Sequence, residues 1–197
     1  MTEPILLDYN NMMAPRLGGR GIEPARLDAA ASRFRAAHEE VRRRRENGEL
    51  AFFELVDQEA TIREILAYVD VVGQDFDTVV VLGIGGSALG TTTLQNALLP
   101  AFWNELDDAG RKGFPRLYVL DNIDPTTFGA FLERIDLRRT LFNVVSKSGT
   151  TAETMAQFLI VRDRLARAFG DDAFKRHLVF TTDPEAGILR RLAREEG

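Results

Sequence analysis

A chain of 197 residues with 45% hydrophobic composition can bury one sizeable core, which fits a soluble α/β domain with a helical attachment better than two complete domains. The absence of cysteine removes disulfides, thiolate metal sites and thiol nucleophiles, and is compatible with a cytoplasmic protein. A formal charge of −5, from 25 basic and 30 acidic side chains, argues against a nucleic-acid partner, whose binding rests on a basic surface that neutralises phosphates.

Residues 1–23, with Pro4, Pro15, Gly18, Gly19 and Gly21, show little periodicity and read as an extended or loosely ordered lead-in. Asp8, Asn10 and Asn11 interrupt its apolar residues, so no signal peptide is read there. No stretch reaches the roughly 20 apolar residues of a membrane-spanning helix, so the expected location is cytoplasmic, without a membrane partner.

From Pro24 to Asn47, Ala25, Leu27, Ala30, Ala31, Phe34, Ala37 and Val41 fall at helical spacing, and Asn47-Gly48 supplies the stop. Arg42 to Arg45 point around the whole helix, as a solvated end does, and form no single basic face. A second helix is expected over Gln58 to Val72, with Ile62, Ile65, Leu66 and Val69 on its apolar face. Residues 1–76 therefore read as a helical N-terminal segment, and residues 77–197 as a second domain.

Beyond Asp77 short β-branched runs alternate with helical patterns. Strands are expected at Thr78–Ile84, Leu117–Leu120, Phe142–Val145 and Leu178–Thr181. Helices are expected at Ala88–Leu99, Pro125–Arg134, Ala152–Phe169 and Pro184–Glu196. The alternation predicts a doubly wound parallel sheet with right-handed crossovers, its strands buried on both faces. The last helix would ordinarily lead into another strand, so this domain is expected to continue past Gly197.

Two strand-to-helix turns carry the chemistry. In Gly83-Ile84-Gly85-Gly86-Ser87-Ala88 glycines permit positive φ and close backbone approach, and Ser87 adds a hydroxyl at a helix start. The same letters satisfy the dinucleotide pattern G-x-G-x-x-A, which also requires an acidic residue about 20 positions later; Asp121 is farther away. In Ser146-Lys147-Ser148-Gly149-Thr150-Thr151 five of six side chains can donate hydrogen bonds. That density suits the three terminal oxygens of a phosphate, whereas helix capping needs one hydroxyl. In the common strand order 2-1-3-4 both turns flank the switch-point crevice where ligands bind.

These two turns, with Asp121-Asn122-Ile123-Asp124 between them and Ala152-Glu153-Thr154 after them, resemble the glucose-6-phosphate isomerase family in its first sugar isomerase (SIS) domain. The likeness spans roughly Asp77 to Asp183 and implies a flavodoxin-like strand order in an SIS domain at 77–197. It implies that Gly86 and Ser87 line the sugar side and that Ser146, Lys147, Ser148, Gly149, Thr150 and Thr151 hold the phosphate. Ser148 and Gly149 stand where many members carry threonine and phenylalanine, which keeps a hydroxyl and loses an aromatic wall. The implied reaction interconverts glucose 6-phosphate and fructose 6-phosphate through an enediol, in a homodimer, with no metal or organic cofactor. Its acid and base groups belong to parts of the family after this segment, so no catalytic residue is assigned here. Alternatives are a non-catalytic sugar-phosphate sensor and a nicotinamide-dinucleotide-binding domain.

The remaining candidates read as structural. His177 begins the fourth strand, opposite the expected crevice, and His38 lies among alanines and glutamates of the first helix. Glu153 stands at capping-box spacing from Thr150. Lys147 is expected to bind through its backbone N–H. Asp121 and Asp124 flank a helix start, and neither has the partners of a metal site.

Overall fold

The alternation beyond Asp77 builds a four-stranded, all-parallel sheet in the order β2-β1-β3-β4. The computed structural model describes residues 6–196; the first five residues of the lead-in and Gly197 lie outside it. The strands are β1 (Thr78–Leu82), β2 (Arg116–Leu120), β3 (Thr140–Ser146) and β4 (Leu178–Thr182). They are joined by α4 (Gly86–Leu98), α5 (Pro125–Arg134), α6 (Ala152–Phe169) and the short α7 (Phe174–His177), and α8 (Ile188–Glu196) follows β4. Leu82 pairs with Val144, and Ser146 with Thr182, so the carboxyl ends of three strands open on one edge of the sheet.

Successive strand residues point to opposite faces. Val80 and Leu82 of β1, with Phe142 and Val144 of β3, meet Phe128 and Leu132 of α5, Phe158, Val161 and Leu165 of α6 and Leu189 of α8 in one core. Burying a side chain of this size contributes about 1.5–3 kcal/mol. On the other face Val81 is buried and α4, whose Ala88 is buried, lies against β1, β2 and β3. Burial on both faces therefore holds for β1. In β3 buried residues alternate with half-buried ones, and β2 and β4 are no more than half-buried because the strand order places them at the edges.

The helices differ from expectation mainly at their starts. Helix α4 begins at Gly86, two residues before the predicted Ala88, and α8 begins at Ile188, leaving Asp183–Gly187 as a loop. The region between α4 and β2 is held by Arg111, 1% exposed, whose guanidinium donates to the carbonyls of Leu106 and Phe114 and pairs with Asp108.

The chain divides into two compact units between Glu64 and Ile65. In the first, the lead-in is more ordered than its composition implied: a 3-10 turn (Asn10–Met12), α1 (Ala14–Leu17) and a second 3-10 turn (Gly18–Arg20) are closed by a bridge between Met13 and Ile22. A Cβ on Gly21 would stand 2.5 Å from the Ala14 nitrogen, so this closure depends on glycine. Helix α2 (Pro24–Glu46) matches its prediction and leaves Phe34 and Val41 exposed. Each arginine from Arg42 to Arg45 pairs with a glutamate: Glu46, Glu40, Glu49 and Glu54 in turn. Helix α3 (Glu59–Val72) spans the division, and Ile62, Ile65, Leu66 and Val69 are exposed along it. No helix among the described residues is long and apolar enough to cross a membrane.

Candidate functional site

Parallel pairing of β1 with β3 places the two predicted turns side by side at the carboxyl edge of the sheet. A cavity of about 390 Å³ opens there, lined by Ser87 of the first turn, Lys147, Ser148 and Thr151 of the second, and Asp183, Ala186 and Gly187 after β4.

The first turn is made by backbone geometry. Gly85 has φ +55° and ψ −120° and is the N-cap of α4. Gly83 is buried, and a Cβ there would lie 3.0 Å from the Ser87 carbonyl oxygen, while Gly85 and Gly86 face open space. The N–H groups of Ser87 and Ala88 donate to the carbonyls of Ile84 and Gly85, whereas Gly86, first residue of the helix, has no intrahelical acceptor for its own.

The second turn is stitched by hydroxyls. Ser146, 1% exposed, accepts the Gly149 N–H on Oγ at 3.1 Å and meets Thr151 Oγ1 at 3.2 Å. Ser148 Oγ accepts the Thr150 N–H at 3.2 Å and the Thr150 hydroxyl at 3.0 Å. The capping box expected from Thr150 and Glu153 does not form: the N-cap of α6 is Thr151, without a side-chain capping bond. Because α6 starts at Ala152, Thr150 lies one residue outside the N-cap position, and its hydroxyl donates to Ser148. The first N–H groups of α6 thus have no partner within the helix, and with the positive end of its dipole they favour an anion.

Of the eight residues named for binding, Ser87, Lys147, Ser148 and Thr151 line the cavity. Gly86 opens α4 beside it, Ser146 and Gly149 are buried in the turn, and Thr150 is exposed. Asp183, Ala186 and Gly187 escaped the sequence reading, because Asp183-Pro184 has the form of an ordinary helix start. The Asp183 carboxyl is held below its usual range by hydrogen bonds from the Glu185 and Ala186 N–H groups and by the charge of Lys147.

The other candidates stand apart. His177 is buried, with Nδ1 2.9 Å from the Thr140 carbonyl oxygen and its ring stacked on Phe169, at the amino end of the sheet. His38 is exposed on α2. Asp124 caps α5 by accepting the Thr127 N–H at 2.7 Å, and its carboxyl is held below the usual range by Thr127. Asp121 is exposed at the same turn, which Gln157 anchors by donating to the carbonyls of Leu120 and Asn122.

The Phosphoglucose isomerase family model matches residues 47–188. A protein of Carboxydothermus hydrogenoformans named glucose-6-phosphate isomerase is 44% identical over 97% of this chain and 41% of its own length. A second of that name, from Rubrobacter xylanophilus, is 50% identical over 58% of this chain and 26% of its own. Among solved structures, a hypothetical protein from Thermus thermophilus superposes with a TM-score of 0.69 and 36% identity, over 86% of this chain and 39% of that one. The chain spans less than half the length of these curated relatives. With the family model covering most of the sequence and both turns, the chain belongs to the phosphoglucose isomerase family.

Proposed function

We propose that this chain is the phosphosugar-binding part of a glucose-6-phosphate isomerase, which interconverts glucose 6-phosphate and fructose 6-phosphate. The observation that carries this reading is the meeting of Ser87 with Lys147, Ser148 and Thr151 in one cavity at the carboxyl edge of β1 and β3. The phosphate is received by Ser146 to Thr151 and the uncapped start of α6, where hydroxyls, an ammonium and backbone N–H groups converge. Gly86 and Ser87 take the sugar side, where Gly86 leaves open space. In domain terms, residues 77–197 are the SIS sugar-phosphate domain and residues 1–76 its helical attachment.

The isomerisation moves a proton between adjacent carbons through an enediol, so it needs an acid, a base and cations near the developing charge. The Asp183 carboxylate is engaged with its own loop, and we assign no acid or base from this chain. Those groups come from the portion of the family that this segment does not match, in a cytoplasmic homodimer. Titrating the 197-residue chain with glucose 6-phosphate while recording amide NMR spectra tests the reading. Shifts are expected at Gly85, Gly86, Ser148 and Gly149, with no interconversion of the two sugars by the chain alone. Shifts confined to residues outside both turns would overturn it.

A further inference from the structure

We propose that the loop Asp183–Gly187 is a positioning wall of the anion site. Asp183 folds the loop, Gly187 seats it on the backbone of Ser148, and the loop thereby sets the conformation of the Ser148-Gly149 turn from which Ser148 meets a phosphate. This rests on the phosphosugar reading above and adds residues that the two turns do not contain.

The placement begins in the sheet. Thr182 is in register with Ser146 and donates its hydroxyl to the Ser146 carbonyl at 2.7 Å, so Asp183 leaves β4 alongside Lys147. One oxygen of Asp183, Oδ1, accepts both the Glu185 and the Ala186 N–H at 2.9 Å. This turns the chain back before α8 starts. Gly187 then adopts φ +98°, and a Cβ there would lie 2.6 Å from the Ser148 carbonyl oxygen. Reciprocally, a Cβ on Gly149, at φ +64°, would lie 2.9 Å from the Leu189 nitrogen and 3.0 Å from that of Ile188. Two backbones touch with no side chain between them, a contact only glycine permits from both sides.

The wall has firm support. Leu189, two residues beyond Gly187, is fully buried in the core, Arg191 N–H donates to the Gly187 carbonyl at 3.1 Å, and Arg194 donates to the Pro184 carbonyl at 3.3 Å. A carboxylate in the wall of an anion site opposes the ligand, and Lys147 and the two N–H groups offset its charge. The position therefore requires the acceptor oxygen and not the negative charge. Asparagine supplies that acceptor, alanine has none, and glutamate keeps the charge while displacing the acceptor.

The test compares the 197-residue chain with Asp183→Ala, Asp183→Asn and Asp183→Glu. Amide exchange at Gly149 is measured without ligand, and glucose 6-phosphate and inorganic phosphate are then titrated. Asp183→Ala and Asp183→Glu are expected to speed Gly149 exchange and weaken glucose 6-phosphate binding, each about tenfold. Asp183→Asn is expected to keep Gly149 exchange within about twofold and to bind both anions at least as tightly as the parent chain. Unchanged Gly149 exchange in folded Asp183→Ala overturns the proposal, as does Asp183→Asn behaving like Asp183→Ala. If the parent chain binds neither anion, the phosphosugar reading fails, and Gly149 exchange still decides whether Asp183 positions the loop.

Discussion

At the end of β1 the chain turns on glycine alone, and its conformationally unusual residue, Gly85, looks onto open space. At the end of β3 it turns on hydroxyls, and its positive-φ glycine, Gly149, is pressed against the backbone that opens α8. Both turns present a helix N-terminus to the same cavity, yet the first depends on local φ and ψ while the second depends on tertiary contact. An open turn leaves room for a variable ligand surface, as the sugar side of the proposed site requires. A walled turn holds donors at fixed spacing, which suits the three equivalent oxygens of a phosphate.

This contrast predicts unequal costs for the same substitution. Gly149→Ala meets an unfavourable φ and two backbone nitrogens that cannot yield, and is expected to lower unfolding free energy by about 3–4 kcal/mol. Gly85→Ala meets the strain without the collision and is expected to cost about 1–2 kcal/mol. Urea unfolding followed by far-UV circular dichroism measures both, and equal losses would remove the distinction between the turns. Close to Gly85→Ala in cost is Ser146→Ala, which leaves the Gly149 N–H only the Ser146 carbonyl and deprives Thr151 of its partner. Because Ser146 is buried, about 2 kcal/mol is expected. Its binding defect should exceed that of Gly85→Ala if hydroxyl stitching orders the phosphate loop.

Much of this architecture was legible because it is local. The β-branched runs marked the strands, the glycines and hydroxyls marked both turns, and the strand order expected from the doubly wound pattern is the one observed. What stayed hidden is also near in sequence, but it depends on which of several possible short-range bonds the chain makes, and spacing alone does not choose between them. Asp183-Pro184 reads as a cap and first helical residue, but Asp183 Oδ1 captures the Glu185 and Ala186 N–H groups and delays α8 to Ile188. Capping-box spacing pointed to Thr150, but α6 starts one residue later, with Thr151 at its N-cap. The lead-in read as loose because the contact that orders it joins Gly21 to Ala14. Amphipathic spacing along α3 identified a face, and spacing carries no information about what covers it.

The smallest expected effect isolates the turns from the frame that carries them. At the amino end of the sheet Asp77 and Arg139 pair through two hydrogen bonds at 2.6 and 3.0 Å, while the backbone of Asp77 separately joins Arg139 and Arg116. The Arg139 guanidinium holds the Asp77 carboxyl below its usual range, so the carboxylate binds protons more weakly in the folded chain than in the unfolded one. The stabilisation is fully present above the unfolded carboxylate value, about pH 4, and is lost as pH falls through the lower folded value. Both side chains are nearly half-exposed, so solvent and salt screen the pair. Asp77→Asn is therefore expected to lower stability slightly at neutral pH, less at high salt, and not at all once acid has protonated the parent carboxylate. Since the backbone bonds at this end survive the substitution, glucose 6-phosphate titration should be unchanged. A binding defect in Asp77→Asn would mean that the geometry of both turns is set from the far end of β1 and β3, and that their difference is not local to the residues that form them.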